Sequence, residues 1–404
     1  MGFVSSERVR AALTKPAPFG VDVDLSKFRV GRAAIVSGEP DRLLAESARQ
    51  RVGVELEKAS YVQVGETVFA RAMAAKLAKL GVVVKPLKRA LEEDELPRKL
   101  AWSIIDPATD KYTAYAYSYG EELGYYVYVP PGVKVPWPIY TCLSLFTGEE
   151  VQFAHNIVYV DEGGEAVVTT GCLVPHGVKG GVHIGISEFF VARGAKLAFA
   201  MIHAWGEGVY VRPRTAVRVE EGGEYLSYYA VYSPVASLQT YPTVHLAEGA
   251  RAKLVSVIAG IGSGEYDIGG RAVLEGPGAS AELVSRVLAK GGAKVYSRAE
   301  VKATAPRAKG HIECLGVLMD SVSSIEAIPI LSSTVQEVEL SHEAAIGMIA
   351  GEKVEYLMSK GFTEEEARAI LLRGFLSAEE SALPEAVRPE VSRIIDYIVK
   401  HATG

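Results

Sequence analysis

Three cysteines, Cys142, Cys172 and Cys314, have the widest chemical reach in this chain of 404 residues. They are too few for a disulfide framework, and none has the C-x-x-C spacing of a closed zinc site. Cys314 lies in His311-Ile312-Glu313-Cys314-Leu315-Gly316-Val317-Leu318, an alternating run that reads as a strand with Ile312 and Cys314 on one face. Among such apolar neighbours a lone thiol is ordinarily inert and buried. His342 and Glu343 follow in Leu340-Ser341-His342-Glu343-Ala344, where Ser341 would cap a short helix. A thiolate, an imidazole and a carboxylate together suit iron or zinc, provided that the fold makes them converge. There is no G-x-x-x-x-G-K-[ST] loop, so any ATPase activity must come from another chain.

The elements that would position these residues form a repeat. A short apolar strand, a charged residue, a Gly and a small residue recur around Gly163, Gly194, Gly222, Gly249 and Gly276, at intervals of 31, 28, 27 and 27 residues. A near-constant period in this range is the mark of a solenoid. Period-2 alternation follows each Gly, as in Lys196 to Met201 and Arg251 to Ile258, and the Gly supplies a positive-φ corner between strands. A β-sandwich with Gly-rich hairpins is the competing architecture, but four successive intervals favour stacked coils. Coils stack at about 4.8 Å, so the 142 residues between Cys172 and Cys314, about five coils, correspond to roughly 24 Å. Direct transfer between the two is then impossible. Cys142 and Cys172 differ by 30 residues, one period, and are expected to stack on adjacent coils within disulfide range.

Helical ends flank the repeat. Glu66 to Leu80 carries Phe69, Met73, Leu77 and Leu80 as one apolar stripe ending at Gly81. Near the C-terminus, Glu352 to Lys360 stops at Gly361, Thr363 and Glu366 form a capping box for a helix ending at Gly374, and a last helix runs from about Pro389 to His401. Their apolar residues exceed what one docking face needs, which suggests a partner groove as well as packing onto the solenoid end. The resulting expectation is a mainly β chain: a mixed helical region over 1–114, a solenoid core over 115–340 and a helical domain over 341–404.

Composition narrows the function further. Apolar residues at 49% and charged residues at 23% describe a soluble protein, and a net charge of −6 disfavours nucleic acid. No apolar run is long enough for a membrane span, and Glu7, Arg8 and Arg10 interrupt what a signal peptide would need, so a cytoplasmic location is expected. That also disfavours a secreted β-helix polysaccharide lyase, as does the single Asn. One Asn and five Gln among abundant Lys, Arg and Glu are the depletion expected of a thermophile.

Several segments taken in order resemble the SufB and SufD subunits of the SUF iron-sulfur cluster assembly machine. They are Tyr126 to Val135, Gly171-Cys172-Leu173-Val174-Pro175, Ala204-Trp205 with Val209-Tyr210, the Cys314 strand, Ala327-Ile328-Pro329, Ser341-His342-Glu343-Ala344 and Tyr356 to Gly361. The resemblance covers roughly residues 115 to 380. It implies a right-handed parallel β-helix between helical ends, a dimer of two β-helices, and C-terminal helices that dock a SufC-type ATPase through residues such as Tyr356, Leu357, Ile370, Leu371 and Phe375. It implies a scaffold subunit and not an enzyme, with a transient iron-sulfur cluster on Cys314, His342 and Glu343 near the dimer interface. Cys172 would receive sulfur from a donor protein, with His203 and Trp205 along the path; ATP would enter only through the partner, and a reduced flavin in the complex stays open. This chain departs from SufB where Ser144 and Phe146 replace an Arg-x-Asn, and from SufD in having Cys314 and Glu343. The SufD-like reading, a structural subunit that holds no cluster, therefore stays open, as does the choice between a homodimer and a SufB/SufD paralogue pair.

Overall fold

Each coil turns on a backbone corner that an L-residue with a side chain adopts only under strain. In the computed structural model, which describes all residues except 1–5, 32–33, 37–41, 71–73, 121–122, 146, 176 and 404, the corners at Gly163, Gly194, Gly222 and Gly249 have φ of 63°, 64°, 63° and 62°. Nothing lies within 4 Å of where a Cβ would stand, so backbone conformation and not space selects Gly there. The corners are laced together, since the N–H of Gly163, Gly194 and Gly222 donates to the carbonyl of Arg193, Glu221 and Glu248 on the following coil. The next corner is Gly278 (φ 71°) and not the expected Gly276, because this turn, residues 275–279, is one residue longer than the turn at 247–250, and the sixth is Arg307 at φ 59°.

Between corners the chain builds two sheets, one of 12 and one of 11 strands. The second sheet passes through Ile139–Ser144, Glu165–Leu173, Lys196–Ala204, Glu224–Val231, Arg251–Ile261, Ser280–Lys290, Ala308–Leu318 and Val338–Met348, each parallel to the next. The facing sheet stacks Glu150–Val160, Val182–Val191, Arg214–Val219, Thr243–Leu246, Glu265–Leu274, Lys294–Ala303 and Ser324–Ser333 in the same sense. Parallel pairing through every coil makes this a β-solenoid and excludes the sandwich, whose neighbours would be antiparallel. Val158, Phe189, Val217 and Val301 from one sheet meet Val168, Leu197, Leu283 and Ile312 from the other in one continuous core.

The two ends differ. At the first, Tyr125–Val129 and Val83–Pro86 close one sheet, while the hairpin Ala59–Val64/Thr67–Ala70 and Ala34–Val36 close the other. The single helix expected over Glu66 to Leu80 is therefore not formed. Thr67–Ala70 is a strand turned back at Gly65, only Ala74–Ala78 is helical, and Met73 lies outside the described residues. Phe69 packs against the C-terminal helices' cluster and Leu77 against the solenoid core, so the apparent stripe serves two cores. At the other end, Ser324–Ser333 and Val338–Met348 are the last strands of their sheets, with no further strand beside them among the described residues.

The strand carrying Ser341, His342 and Glu343 runs on to Met348, so Ser341 caps no helix. Helices follow at Gly351–Ser359, Glu364–Leu376 and Arg388–Thr403. Thr363 and Glu366 form the expected capping box, but the second helix continues past Gly374. Leu372, Leu376, Val391, Ile395 and Ile398 pack on Ala200, Ile202, Ala230, Val255 and Val257, so the helices cover the outer face of the second sheet and not the solenoid end.

Candidate functional site at the open end of the solenoid

Register decides which side chains share a face. Ala308–Leu318 lies between Ser280–Lys290 and the terminal Val338–Met348, with Cys314 opposite Ser285 on one side and Ala344 on the other. Cys314 faces inward with Ile312 and is 2% exposed. Ser297, reaching across from the facing sheet, has its single hydroxyl proton within reach of Cys314 Sγ at 3.9 Å or Ser285 Oγ at 2.9 Å. Burial pushes the Cys314 thiol up; Glu313 adds to this, while the Ser297 hydroxyl and Arg286 pull the other way.

His342 pairs with Ile312, which puts it on the same face as Cys314 but one coil nearer the open end. Strand geometry makes the two diagonal neighbours, roughly 8 Å apart at Cα. Glu343 pairs with Glu313 and so projects from the opposite, outer face. Both residues are exposed, as is every residue from Ser341 on to Met348 at 68%, while Val338 and Leu340 are half-buried against the core. The three expected ligands are thus close in the fold but split between two faces, and no group of three His, Cys, Asp or Glu fit to hold a metal ion occurs among the described residues.

Under this strand, charges tie the helices to the coil of Cys314. Arg286 meets Glu313 at 2.8 Å and Glu379 at 3.4 Å, and Lys253 meets Glu379 at 2.8 Å and Glu282 at 3.0 Å. Glu379, just after the second helix, therefore bridges to two solenoid strands, one and two coils from that of Cys314.

At the capped end, Cys172 is fully buried and faces the same interior. The parallel pairs Cys172/His203, His203/Val231, Val231/Ile258, Ile258/Val287 and Val287/Gly316 count five strand spacings to the Cys314 strand. Cys314 stands in the adjoining inward column, through Ser285, Ser256, Tyr229, Met201 and Thr170. A cavity of about 60 Å³ lies along that column, lined by Met201, Tyr229, Ser256 and Ser285 with Thr215, Thr240 and Gly270 opposite. The expected five-coil separation, about 24 Å, is the one built.

The expected stacking of Cys142 on Cys172 is not. Cys142 pairs with Gly171, and Cys172 with Leu143, because the offset here is one residue short of the sequence difference. Alternation then sends Cys142 to the helix-covered outer face and Cys172 to the interior, and no disulfide joins any two of the three cysteines. Of the two residues marking the departure from SufB, Ser144 is buried and Phe146 lies outside the described residues.

Around Cys172 the interior is unusually polar. His203 Nδ1 lies 3.0 Å from the Tyr229 hydroxyl, and His183 Nδ1 lies 2.9 Å from Gln152 Oε1. The Trp205 ring lies 4.8 Å from His183 and 5.4 Å from His203. Burial, reinforced by Cys142, pushes the Cys172 thiol well up, and burial lowers His183 to about 3 and His203 well below its usual value, so both rings are neutral at pH 7. His183, Tyr229, Ser285 and Ser297 escaped sequence reasoning. Their available signal was polarity at inward positions of otherwise apolar strands, as in Val182-His183-Ile184.

These features define a parallel β-solenoid with thiols inside it, one deep near the capped end and one a coil within the open end. Residues 144–375 match the family described as SUF system FeS cluster assembly, SufBD core domain. An iron-sulfur cluster assembly SufBD family protein of Methanothermobacter thermautotrophicus is 36% identical over 98% of each chain. One of Archaeoglobus fulgidus is 41% identical over 89% of this chain and 97% of its own. The iron-sulfur cluster assembly protein SufB of Bacillus subtilis is 30% identical over 82% of this chain and 72% of its own. The chain belongs to the SufBD family and takes part in iron-sulfur cluster assembly. Archaeal relatives fit the thermophile-like composition, and no described helix is long and apolar enough to cross a membrane.

Proposed function

We propose that the chain is a scaffold subunit on which a nascent iron-sulfur cluster, its cargo, is assembled at Cys314 where two solenoid ends meet. The observation that carries this reading is the placement of Cys314 one coil inside an end whose last strand exposes His342 and an unpaired backbone edge. Such an edge is a template for another chain, and a paired end would bring a second His342 and Glu343 toward the same seam. Soft thiolate ligation suits iron and sulfide, and burial explains why the site must open before Cys314 loses its proton. Sulfur would enter at Cys172 from a donor protein and travel past His203 and Trp205 along the polar column to Cys314.

Opening would be driven by a SufC-type ATPase on the C-terminal helices. Tyr356 and Ile370, at 62% and 43% exposure, with half-buried Leu357 and Leu371, form the docking surface; Phe375 turns inward against the solenoid instead. The charge network through Glu379 would carry the movement to the Cys314 strand. Cytoplasmic assembly, ATP bound only by the partner and a reduced flavin as electron source belong to the same reading.

Anaerobic reconstitution of the full chain with ferrous iron and sulfide tests it. The parent should develop cluster absorption, and Cys314→Ser should lose most of it. Equal cluster in the two would favour the SufD-like structural role, which the separation of Glu343 from Cys314 supports.

A further inference from the structure

Three cations converge on one tyrosine outside the facing sheet. The charged groups of Lys111, Arg212 and Arg214 lie 5.5, 5.5 and 5.1 Å from the centre of the Tyr112 ring, at the start of the helix Lys111–Tyr119. Like charges gathered this closely repel one another unless anions lie between them. Two carboxylates reach the group. Asp110, 1% exposed, takes Arg214 at 2.8 Å and caps the helix by accepting the N–H groups of Tyr112 and Thr113. Asp22 takes Lys111 at 2.6 Å, while Asp24 is engaged by Ser26 instead. Arg212 is fully buried, and among the described residues no carboxylate pairs with it. Its guanidinium donates to the carbonyls of Val211, Ser237 and Val21 and to the Ser237 hydroxyl. A buried guanidinium without a counter-ion is costly to keep, which points to a ligand that would supply one.

The chain's own N-terminal strap, residues 15–24, lies over these cations and forms neither helix nor strand. Three consecutive strap residues turn oxygen atoms toward them. Val21 O accepts from Arg212 at 2.7 Å, Asp22 Oδ1 from Lys111 at 2.6 Å and Val23 O from Lys111 at 2.5 Å. Three oxygens presented together to guanidinium and ammonium groups reproduce one face of a tetrahedral oxyanion. We propose that Lys111, Arg212 and Arg214 form a binding site for a phosphate-type dianion, which Val21, Asp22 and Val23 fill as an exchangeable internal ligand. The strap is built to leave. Of residues 15–24 only Val23 is buried, Val21 is 41% exposed and the Asp22 side chain 60%. A dianion would give Arg212 the counter-charge that carbonyl oxygens lack, and the Tyr112 hydroxyl, which accepts the Val23 N–H at 3.1 Å, would be released to donate to it.

The test measures calorimetric binding of inorganic pyrophosphate to the full-length protein, and hydrogen exchange with and without it at constant ionic strength. Pyrophosphate should saturate one site per chain and speed exchange over residues 16–24 about fivefold, since the Val23 N–H loses its acceptor. Asp22→Asn removes the strap's charge on Lys111, so it should loosen the strap on its own and tighten pyrophosphate binding about threefold, because less of the site is self-occupied. Arg212→Met should weaken binding at least about tenfold. Should that buried substitution fail to fold, Asp22→Asn, a change at the surface, carries the test. Absence of saturable binding in both the parent and Asp22→Asn overturns the proposal. So does binding that leaves exchange over 16–24 unchanged, or that Arg212→Met retains in full, since either result puts the anion elsewhere on the surface.

Discussion

The burial that hides Cys314 also keeps its thiol protonated, which makes its reactivity a direct readout of the surroundings. Alkylation of the folded protein at pH 7 should be slow at Cys314 and rise only above the ordinary thiol range, and Ser297→Ala should slow it further, because that hydroxyl favours the thiolate. Peptide mass spectrometry after timed iodoacetamide quenches would show both. His183 gives a second prediction. Its folded value is depressed to about 3, so folded protein resists protonation that the unfolded chain accepts. The stability this contributes is complete above the ordinary histidine range and is lost as pH falls from about 6.5 toward 3, amounting to a few kcal/mol at about 1.4 per pH unit. Denaturant midpoints across that window should fall, and His183→Asn should flatten the slope. At this scale the sequence shows which residue types are suited to chemistry and not which way they point. Cys142 and Cys172 differ by one period in number but by one residue in register, and that residue separates an outer from an inner face.

At the scale of elements, the corners were the most readable feature, because positive φ leaves its mark as Gly. Gly276 was misplaced by an insertion that only the pairing reveals, and Arg307 left no mark at all, since a non-Gly residue in that conformation looks like any other. Arg307→Gly should therefore raise stability by about 0.5–1 kcal/mol by relieving the left-handed conformation, while Gly194→Ala should lower it by about 1 kcal/mol. Urea midpoints of the two variants, expected to move in opposite directions, check this. The segment from Glu66 to Leu80 was misread for another reason. Helical spacing of Phe69 and Leu77 arose from two elements contributing to two cores, and the turn at Gly65 between β-rich runs was the stronger signal.

For the whole molecule the decisive asymmetry is one capped and one bare end. If two bare ends meet, Ile346→Asp on the exposed terminal strand should convert the pair to single chains in native mass measurements, with the solenoid's β signal unchanged. The helices are held separately. Glu379→Ala leaves Arg286, 5% exposed at its side chain, and Lys253 each with one carboxylate, and should lower stability by about 2 kcal/mol while loosening helix packing, read by hydrogen exchange over 351–403. Sequence periodicity made the solenoid legible over its middle coils but not which end was sealed, because the sealing strands belong to the irregular first hundred and thirty residues. The capped end also orders events in time. A ribosome delivers the sealing strands first, each later coil finds a finished template, and the strand beside Cys314 is the last of the stack to emerge. Translation itself thus leaves the open end incomplete until every coil beneath it is in place, and a chain cut short by one coil would keep Cys314 but lack His342 and Glu343 beside it.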